Sequence, residues 1–206
     1  PVLKGKKALV IGVANDSSIA YGCAKAFREL GTDVAITYLN DKAKPHVEPL
    51  ARELEASLFL PLDVAVPGAL ERVFEEVAAK WGKLDILVHS IAFAPKEDLQ
   101  GGLLNCSAEG FAKAMDVSCH SFVRMARLAA PLMKNGGTML TMSYYGANKV
   151  VTNYNVMGPV KAALESDRQA IYHAIQVDPL ASAVLSLEQM RSLADELIAA
   201  SAEWFR

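Results

Sequence analysis

Short apolar runs alternate with helical segments along residues 1–166 of this 206-residue chain. The apolar runs predict buried strands at 7–12, 33–38, 57–60, 84–89 and 138–142. Helices are predicted at about 18–30, 42–55, 67–80 and 107–133, the last broken at Pro131, with one more helix that contains Tyr154. Because crossovers between parallel strands are right-handed, this order predicts an α/β fold with a doubly wound parallel sheet.

The first predicted strand runs into a turn of small residues and then into a helix that Ser17 or Ser18 can cap. Free backbone N–H groups and the positive end of the helix make this junction, which begins at Gly12, suited to a pyrophosphate. The spacing differs from the common G-x-G-x-x-G pattern, so an ordinary strand-to-helix turn remains an alternative. If the junction binds a pyrophosphate, the sheet is Rossmann-like.

Three other strand ends are compatible with the same ligand. Asp63 follows the third strand and is placed to accept from an adenine amino group, although a turn aspartate is equally consistent. Small residues follow the fourth strand from Ser90, and Ser143 and Tyr144 follow the fifth. The second strand is followed by Asp41 and by no arginine placed for a 2′-phosphate, which favours the non-phosphorylated dinucleotide.

Tyr154 and Lys161 are seven residues apart. If both lie in one helix, seven residues return to nearly the same face, about two turns along the axis. A phenol beside an ammonium group suits a reaction in which a carbonyl oxygen becomes an oxyanion. The alternative is a pair of ordinary surface residues.

Composition excludes several classes of protein. The net charge is -2 with interspersed signs, which argues against nucleic acid or an anionic membrane as a partner. Three separated cysteines form neither a zinc pattern nor a disulfide framework, and no apolar run is long enough to span a membrane. No signal peptide fits before the first strand, so we expect a cytoplasmic location. His89, at a strand end, is interpreted as a satisfied core or turn histidine.

Several of these segments together resemble bacterial enoyl-acyl carrier protein reductase, a divergent branch of the short-chain dehydrogenases. The resemblance covers about residues 1–166. It is carried by the segments at 12–22, 37–38, 89–95, 143–147 and 153–158, and by the Tyr-x6-Lys spacing in place of Tyr-x3-Lys.

The resemblance implies an NADH-dependent reduction of a trans-2-enoyl thioester carried by acyl carrier protein. It implies that Tyr154 donates a hydrogen bond to the thioester oxygen, that Lys161 holds the nicotinamide ribose, and that Tyr144 lines the acyl pocket with Ala94. The residues implied to line the dinucleotide are Gly12, Ser18, Ile19, Asp63, Val64, Ser90, Ile91 and Ala92. A homo-oligomer formed through helices at about 107–130 and 152–166 is also implied. Pro159 would be a misfit inside a helix that joins Tyr154 to Lys161.

Residues 167–206 depart from this pattern and weakly resemble the C-terminus of NAD-dependent family 4 glycosidases. Two units are therefore expected: a reductase domain at 1–166, lacking the family's sixth and seventh strands, and a helical tail of foreign or divergent origin. In the tail, Ser186 and Gln189 fit a capping box ahead of an amphipathic helix, which would cover the exposed edge of the fifth strand.

Four functions remain open from the sequence. A reductase of enoyl thioesters is the leading hypothesis, and a catalytically inactive remnant that still binds dinucleotide is the main alternative. A short-chain ketoreductase is disfavoured by the Tyr-x6-Lys spacing, and glycosidase activity would need more than the tail supplies.

Overall fold

Five parallel strands form one sheet in the computed structural model, which describes residues 2–100 and 102–175. The strands are β1 (Lys7–Ile11), β2 (Asp33–Tyr38), β3 (Leu58–Pro61), β4 (Ile86–His89) and β5 (Thr138–Thr141). Their order is β3-β2-β1-β4-β5, with every neighbouring pair parallel. The strand order reverses between β1 and β4, and a crevice for a ligand opens at the carboxyl ends of such strands. The predicted α/β parallel sheet of five strands is confirmed.

Seven α-helices accompany these strands within the described residues. They are α1 (Ile19–Glu29), α2 (Lys44–Glu53), α3 (Ala69–Trp81), α4 (Lys96–Gln100), α5 (Ala108–Met115), α6 (Ser121–Ala129) and α7 (Met157–Ile175). Short 3₁₀ turns lie at Leu103–Asn105, Ala130–Leu132 and Tyr145–Ala147. The long helix predicted over 107–133 is present as α5, a π turn and α6, and Pro131 lies in the 3₁₀ turn that ends it. The short helix α4 and the turn at Leu103–Asn105 had no counterpart in the sequence prediction.

Strand β1 shows how the sheet is covered on both faces. Leu9 and Ile11 pack with α3 and α6, whereas Ala8 and Val10 pack with α1 and α2. All four side chains are at most 1% exposed. Strands with apolar residues on both faces are typical of parallel sheets buried between helices. The doubly wound arrangement therefore follows from an uninterrupted apolar run.

A third apolar cluster holds α7 against the long helix. Phe122 from α6 packs with Val160 and Leu164 from α7, and all three are at most 1% exposed. Complete burial of a side chain of this size contributes about 1.5–3 kcal/mol. This packing fixes the position of Lys161, which lies between the two α7 residues in sequence.

The π turn at Asp116–His120 inserts one wide turn between α5 and α6. Ser118 lies in this turn and is completely buried. Its hydroxyl accepts a hydrogen bond from the Phe93 N–H at 2.8 Å and donates to the Phe93 carbonyl at 3.0 Å. The π turn thus fastens the loop that follows β4.

The predictions for the tail, including the Ser186–Gln189 capping box and its helix, lie outside the described residues. Helix α7 runs without a break through residue 166, where a domain boundary was predicted. Strand β5 is the edge of the sheet among the residues that the structure describes. None of the helices in that part of the chain has the length and apolar character needed to cross a membrane.

Candidate active site

A cavity of about 550 Å³ lies at the carboxyl edge of the sheet. Seven of the residues predicted from the sequence line it: Ile19, Ser90, Ile91, Ala92, Tyr144, Tyr154 and Lys161. The remaining lining residues are Met142, Ser143, Val151 and Thr152. Of these, the sequence analysis named only Ser143, at the end of the fifth predicted strand. The cavity therefore joins the loop after β4 to the segment between β5 and α7.

Other predicted residues follow strand ends without lining this cavity. Asp63 follows β3, and its carboxylate accepts a hydrogen bond from the Ala65 N–H at 2.9 Å, the geometry of a turn aspartate. Val64 is buried in the core. Ala94 packs against the third apolar cluster, on which the Tyr154 side chain also lies.

The turn after β1 is tight for a steric reason. A Cβ atom added to Gly12 would lie 2.0 Å from the carbonyl oxygen of Ser90, and the φ angle of Gly12 is +108°. Glycine alone combines that conformation with so close a backbone approach. Ser18 is the N-cap residue of α1, and its hydroxyl donates to the Asn15 carbonyl at 2.7 Å. The Ser18 side chain therefore accepts no hydrogen bond from an N–H group of the first helical turn. The Tyr21 and Gly22 N–H groups donate to the Ser18 carbonyl, which leaves those of Ile19 and Ala20 at the end of the helix for an anion.

Tyr154 does not lie in the helix that carries Lys161. Helix α7 begins at Met157, and the preceding turn contains Asn153 and Asn155 with φ angles of +61° and +35°. The prediction of one helix face for Tyr154 and Lys161 was therefore wrong. Left-handed backbone on both sides of Tyr154 ends helical periodicity. The turn nevertheless brings Tyr154 to the cavity that Lys161 lines.

Pro159 is no misfit, contrary to the prediction. It is the third residue of α7, where a backbone N–H has no partner within the helix. The helix loses no internal hydrogen bond there.

Lys161 is a buried cation at the floor of the cavity. Its side chain is 4% exposed, and Nζ donates to the Met142 carbonyl at 2.5 Å. Burial lowers the pKa of Lys161 below its usual value. The ammonium group thus carries its charge in a weakly screened environment beside the strand ends.

Tyr154 and Tyr144 form an aromatic pair beside this lysine. Their ring centroids are 4.9 Å apart and the rings are tilted by 59°. Burial, and to a smaller extent Tyr144, raises the pKa of Tyr154 above its ordinary value. The Tyr154 hydroxyl therefore stays protonated at neutral pH and is able to donate a hydrogen bond.

The sequence profile described as Enoyl-(Acyl carrier protein) reductase matches residues 12–174. The chain is 46% identical, over 165 residues, to "Enoyl-[acyl-carrier-protein] reductase [NADH] 1" of Rhizobium meliloti (strain 1021), which covers 80% of this chain. The chain belongs to the enoyl-acyl carrier protein reductase family. It is also 41% identical to "Enoyl-[acyl-carrier-protein] reductase [NADH] FabI" of Haemophilus influenzae (strain ATCC 51907 / DSM 11121 / KW20 / Rd), a match that covers 93% of this chain and 74% of the relative.

The fold of this family member matches solved structures of the same family. The enoyl-(acyl-carrier-protein) reductase of Anaplasma phagocytophilum, crystallised with NAD, superposes with a TM-score of 0.82 at 45% identity. The match covers 84% of this chain and 66% of that one. The chain spans 61% of the length of the Rhizobium meliloti relative.

His89 is the last residue of β4, next to Ser90 of the cavity wall, and of the two predicted alternatives it is a satisfied core histidine. It is completely buried; Nδ1 lies 2.8 Å from the Thr141 hydroxyl and Nε2 lies 2.8 Å from the Ser121 hydroxyl. The Ser121 hydroxyl donates to the Val117 carbonyl, so it accepts from Nε2–H and leaves Nδ1 to accept from Thr141. Burial and then the nearby Lys161 lower the pKa of His89 to about 3. Its ring is neutral at physiological pH.

Glu165 ties the cavity wall to α7. The Ser143 hydroxyl donates to the Glu165 carboxylate at 2.5 Å, and the Asn148 amide donates to it at 3.4 Å. The Ser143 hydroxyl is thus satisfied by a carboxylate, although the residue also lines the cavity. In the described residues, no group of three or more His, Cys, Asp or Glu side chains is placed to hold a metal ion.

Proposed function

We propose that this protein binds NADH and reduces trans-2-enoyl thioesters carried by acyl carrier protein. The observation that supports this most directly is the grouping of Tyr154 and Lys161 on one cavity with the strand-end residues Ser90, Ile91 and Ala92. A hydrogen-bond donor and a cation beside a dinucleotide crevice suit the reduction of a double bond conjugated to a carbonyl group.

The residues present fit a dinucleotide. The close approach of Gly12 to Ser90 keeps side chains out of the junction between β1 and α1. The N-terminus of α1 faces the same edge of the sheet and favours a pyrophosphate. In this proposal Gly12, Ser18, Ile19, Asp63, Val64, Ser90, Ile91 and Ala92 line the dinucleotide. When bound, NADH supplies the hydride that adds to the β-carbon of the substrate.

Tyr154 stabilises the charge that this addition creates. As the β-carbon gains the hydride, the π electrons of the double bond move toward the thioester oxygen, which becomes an enolate oxygen. The protonated Tyr154 hydroxyl donates a hydrogen bond to that oxygen. A preorganised donor of this kind typically contributes about 10²–10³ in rate. The α-carbon then takes a proton to complete the reduction.

Lys161 positions the cofactor and adds positive potential. One of its N–H groups is directed at the Met142 carbonyl, and the ammonium group can donate two more hydrogen bonds to ribose hydroxyls. Because the group is buried, its charge lowers the energy of an adjacent enolate more than an exposed lysine would.

Tyr144 and Ala94 form the wall for the acyl chain in this proposal, together with Tyr154. Tyr144 is 50% exposed, so its ring offers apolar surface to a substrate entering from solvent. The remainder of the substrate, an acyl carrier protein, is proposed from the family alone.

Two measurements test the function. Quenching or enhancement of NADH fluorescence on mixing measures binding, and loss of NADH absorbance with crotonyl thioester measures turnover. The proposal requires both. Binding without turnover would select the inactive dinucleotide-binding remnant, and turnover of a 3-ketoacyl thioester without turnover of crotonyl thioester would select a ketoreductase.

We also propose a cytoplasmic homo-oligomer that assembles through the helices at about 107–130 and 152–166. In the structure these segments pack on each other through the third apolar cluster. Light scattering coupled to gel filtration tests the assembly, and a monomer at micromolar concentration would reject it.

A further inference from the structure

We propose that Gly146 is a positioning residue for Tyr154: the absence of a side chain at Gly146 leaves the space in which the Tyr154 ring lies and so sets the location of the phenol hydroxyl. This inference rests on the proposed function for its catalytic consequence. Its structural part concerns the placement of the ring alone.

The contact between the two residues is unusually close. A Cβ atom added to Gly146 would lie 2.4 Å from Cδ1 and 2.6 Å from Cε1 of Tyr154, and 3.4 Å from Cδ1 of Tyr144. Gly146 is buried, and it is not among the glycines with positive φ. Its backbone conformation is therefore open to alanine, and the need for glycine at this position is steric.

The backbone at Gly146 has little freedom to retreat from the ring. On its other side, the Gly146 carbonyl oxygen lies so near Gly158, in the first turn of α7, that a Cβ atom added to Gly158 would be 3.1 Å from it. Glu165 holds the same segment to α7 at both ends, through Ser143 and Asn148. Because the turn is held in this way, a methyl group at Gly146 displaces the Tyr154 ring.

The size of the displacement follows from ordinary contact distances. Carbon atoms in contact lie at about 3.5 Å, so a methyl group at 2.4 Å requires the ring to move by about 1 Å. A misplacement of about 1 Å in a catalytic group lowers the rate by about 100-fold. Gly146→Ala should therefore reduce kcat through Tyr154 while the dinucleotide site stays intact.

A double-mutant cycle tests whether Gly146 acts through the hydroxyl of Tyr154. We expect Gly146→Ala to lower kcat for crotonyl thioester by about 100-fold and to leave NADH affinity within about twofold of the parent. In a Tyr154→Phe background the same change should lower kcat by less than about twofold, because no hydroxyl remains to be misplaced. An equal loss of kcat in both backgrounds would overturn the proposal.

Gly22→Ala is the matched control. A Cβ atom on Gly22 meets no atom within 4 Å, and this glycine also lacks positive φ. The control should retain the kcat of the parent.

If Gly146→Ala fails to fold, the cause is tested by adding Tyr154→Ala, which removes the ring. The double variant should then fold as well as Tyr154→Ala alone, and failure to fold would reject a collision with the ring.

Tyrosine NMR gives a readout that needs no turnover. In protein labelled with ¹³C at the tyrosine ε positions, the Tyr154 signal is assigned by its loss in Tyr154→Phe. Gly146→Ala should shift that signal most, and Gly22→Ala should leave it in place. If the parent protein shows no turnover, the proposed function fails, yet the shift still decides the placement of the ring. An unmoved Tyr154 signal in folded Gly146→Ala protein would overturn this inference.

Discussion

His89 and Lys161 are two buried titratable residues, of which Lys161 lines the cavity and His89 does not. His89 is completely buried and Lys161 is 4% exposed. Both nitrogens of the His89 ring are engaged by hydroxyl groups, whereas the described contact of the Lys161 ammonium is a single carbonyl. The His89 ring is enclosed by protein with both nitrogens paired, whereas the Lys161 ammonium group has further N–H groups that can bind a ligand in the cavity.

The difference shows that burial by itself does not distinguish a structural group from a functional one. A buried polar group whose hydrogen bonds are all met contributes to the core, while one with unused donors at a cavity is equipped for a ligand. The two groups also interact, because the charge of Lys161 contributes to the low pKa of His89. Substitutions at the two positions should therefore have opposite effects on stability and activity.

The largest effect is expected from Lys161→Met. Turnover should fall by about 10³-fold, since both the proposed cofactor contact and the positive potential are lost. Stability should be unchanged or higher, because a buried charge is replaced by an apolar chain of similar length. Steady-state kinetics and urea unfolding measure the two quantities, with the exposed Lys149→Met as control. A large loss of stability would place Lys161 in the structural class with His89.

The next largest effect is a loss of folding stability at acid pH, caused by the protonation of His89 on unfolding. Its pKa is about 3 in the folded protein against 6.5 for an unperturbed histidine, so the unfolded chain binds more protons between these values. The stability that His89 contributes is therefore complete above pH 6.5 and is lost as the pH falls toward 3. Between pH 6.5 and pH 4 the loss is about 3 kcal/mol, at about 1.4 kcal/mol per pH unit.

Urea unfolding at several pH values checks this contribution. His89→Gln retains a polar side chain that does not titrate, so its stability should vary less between pH 6.5 and pH 4 than that of the parent. Parallel pH profiles for the two proteins would contradict a buried neutral histidine.

Tyr154→Phe should lower kcat by about 100-fold and leave NADH affinity nearly unchanged, because only the proposed hydrogen bond to the developing oxyanion is lost. Kinetics with crotonyl thioester and NADH fluorescence measure the two effects. Tyr145→Phe is the control, because Tyr145 is 65% exposed and directly precedes Gly146 in the turn Tyr145–Ala147. Loss of NADH binding in Tyr154→Phe would contradict the role assigned to the hydroxyl.

The smallest effect is expected from Ser121→Ala. It removes the acceptor for Nε2–H of His89 and should lower the free energy of unfolding by about 1–2 kcal/mol. Turnover by the folded protein should not change. Urea unfolding compared with that of Ser166→Ala, an exposed serine on α7, isolates the effect. A selective loss of turnover would connect His89 to the chemistry.

The sheet was predictable because each strand contains a short apolar run, which in β1, β2 and β4 is buried on both faces. Strand β2 was predicted over its observed range, and the ends of the other strands differ by at most two residues. Burial on both faces leaves few alternatives for such runs. The residues after β4 could be assigned to the ligand site because the carboxyl ends of parallel strands meet at one edge of the sheet.

The segment before α7 was not predictable from helical periodicity. A seven-residue spacing satisfied the expectation of one helix, yet Asn153 and Asn155 adopt left-handed backbone around Tyr154. Asparagine tolerates this conformation better than most residues, and Pro159 is favoured near a helix start, so both signals for a turn were present. The role of Gly146 was beyond sequence reasoning because it depends on a contact with a ring eight residues away.

The π turn at Asp116–His120 interrupts the helix formed by α5 and α6 and places the Ser118 hydroxyl against the loop that follows β4. Removal of one residue there would restore α-helical geometry and withdraw the Ser118 hydroxyl from both backbone groups of Phe93. A deletion inside a helix would thereby loosen a wall of the cavity without altering any residue that lines it. The length of this helix therefore helps to set the position of the loop that follows β4.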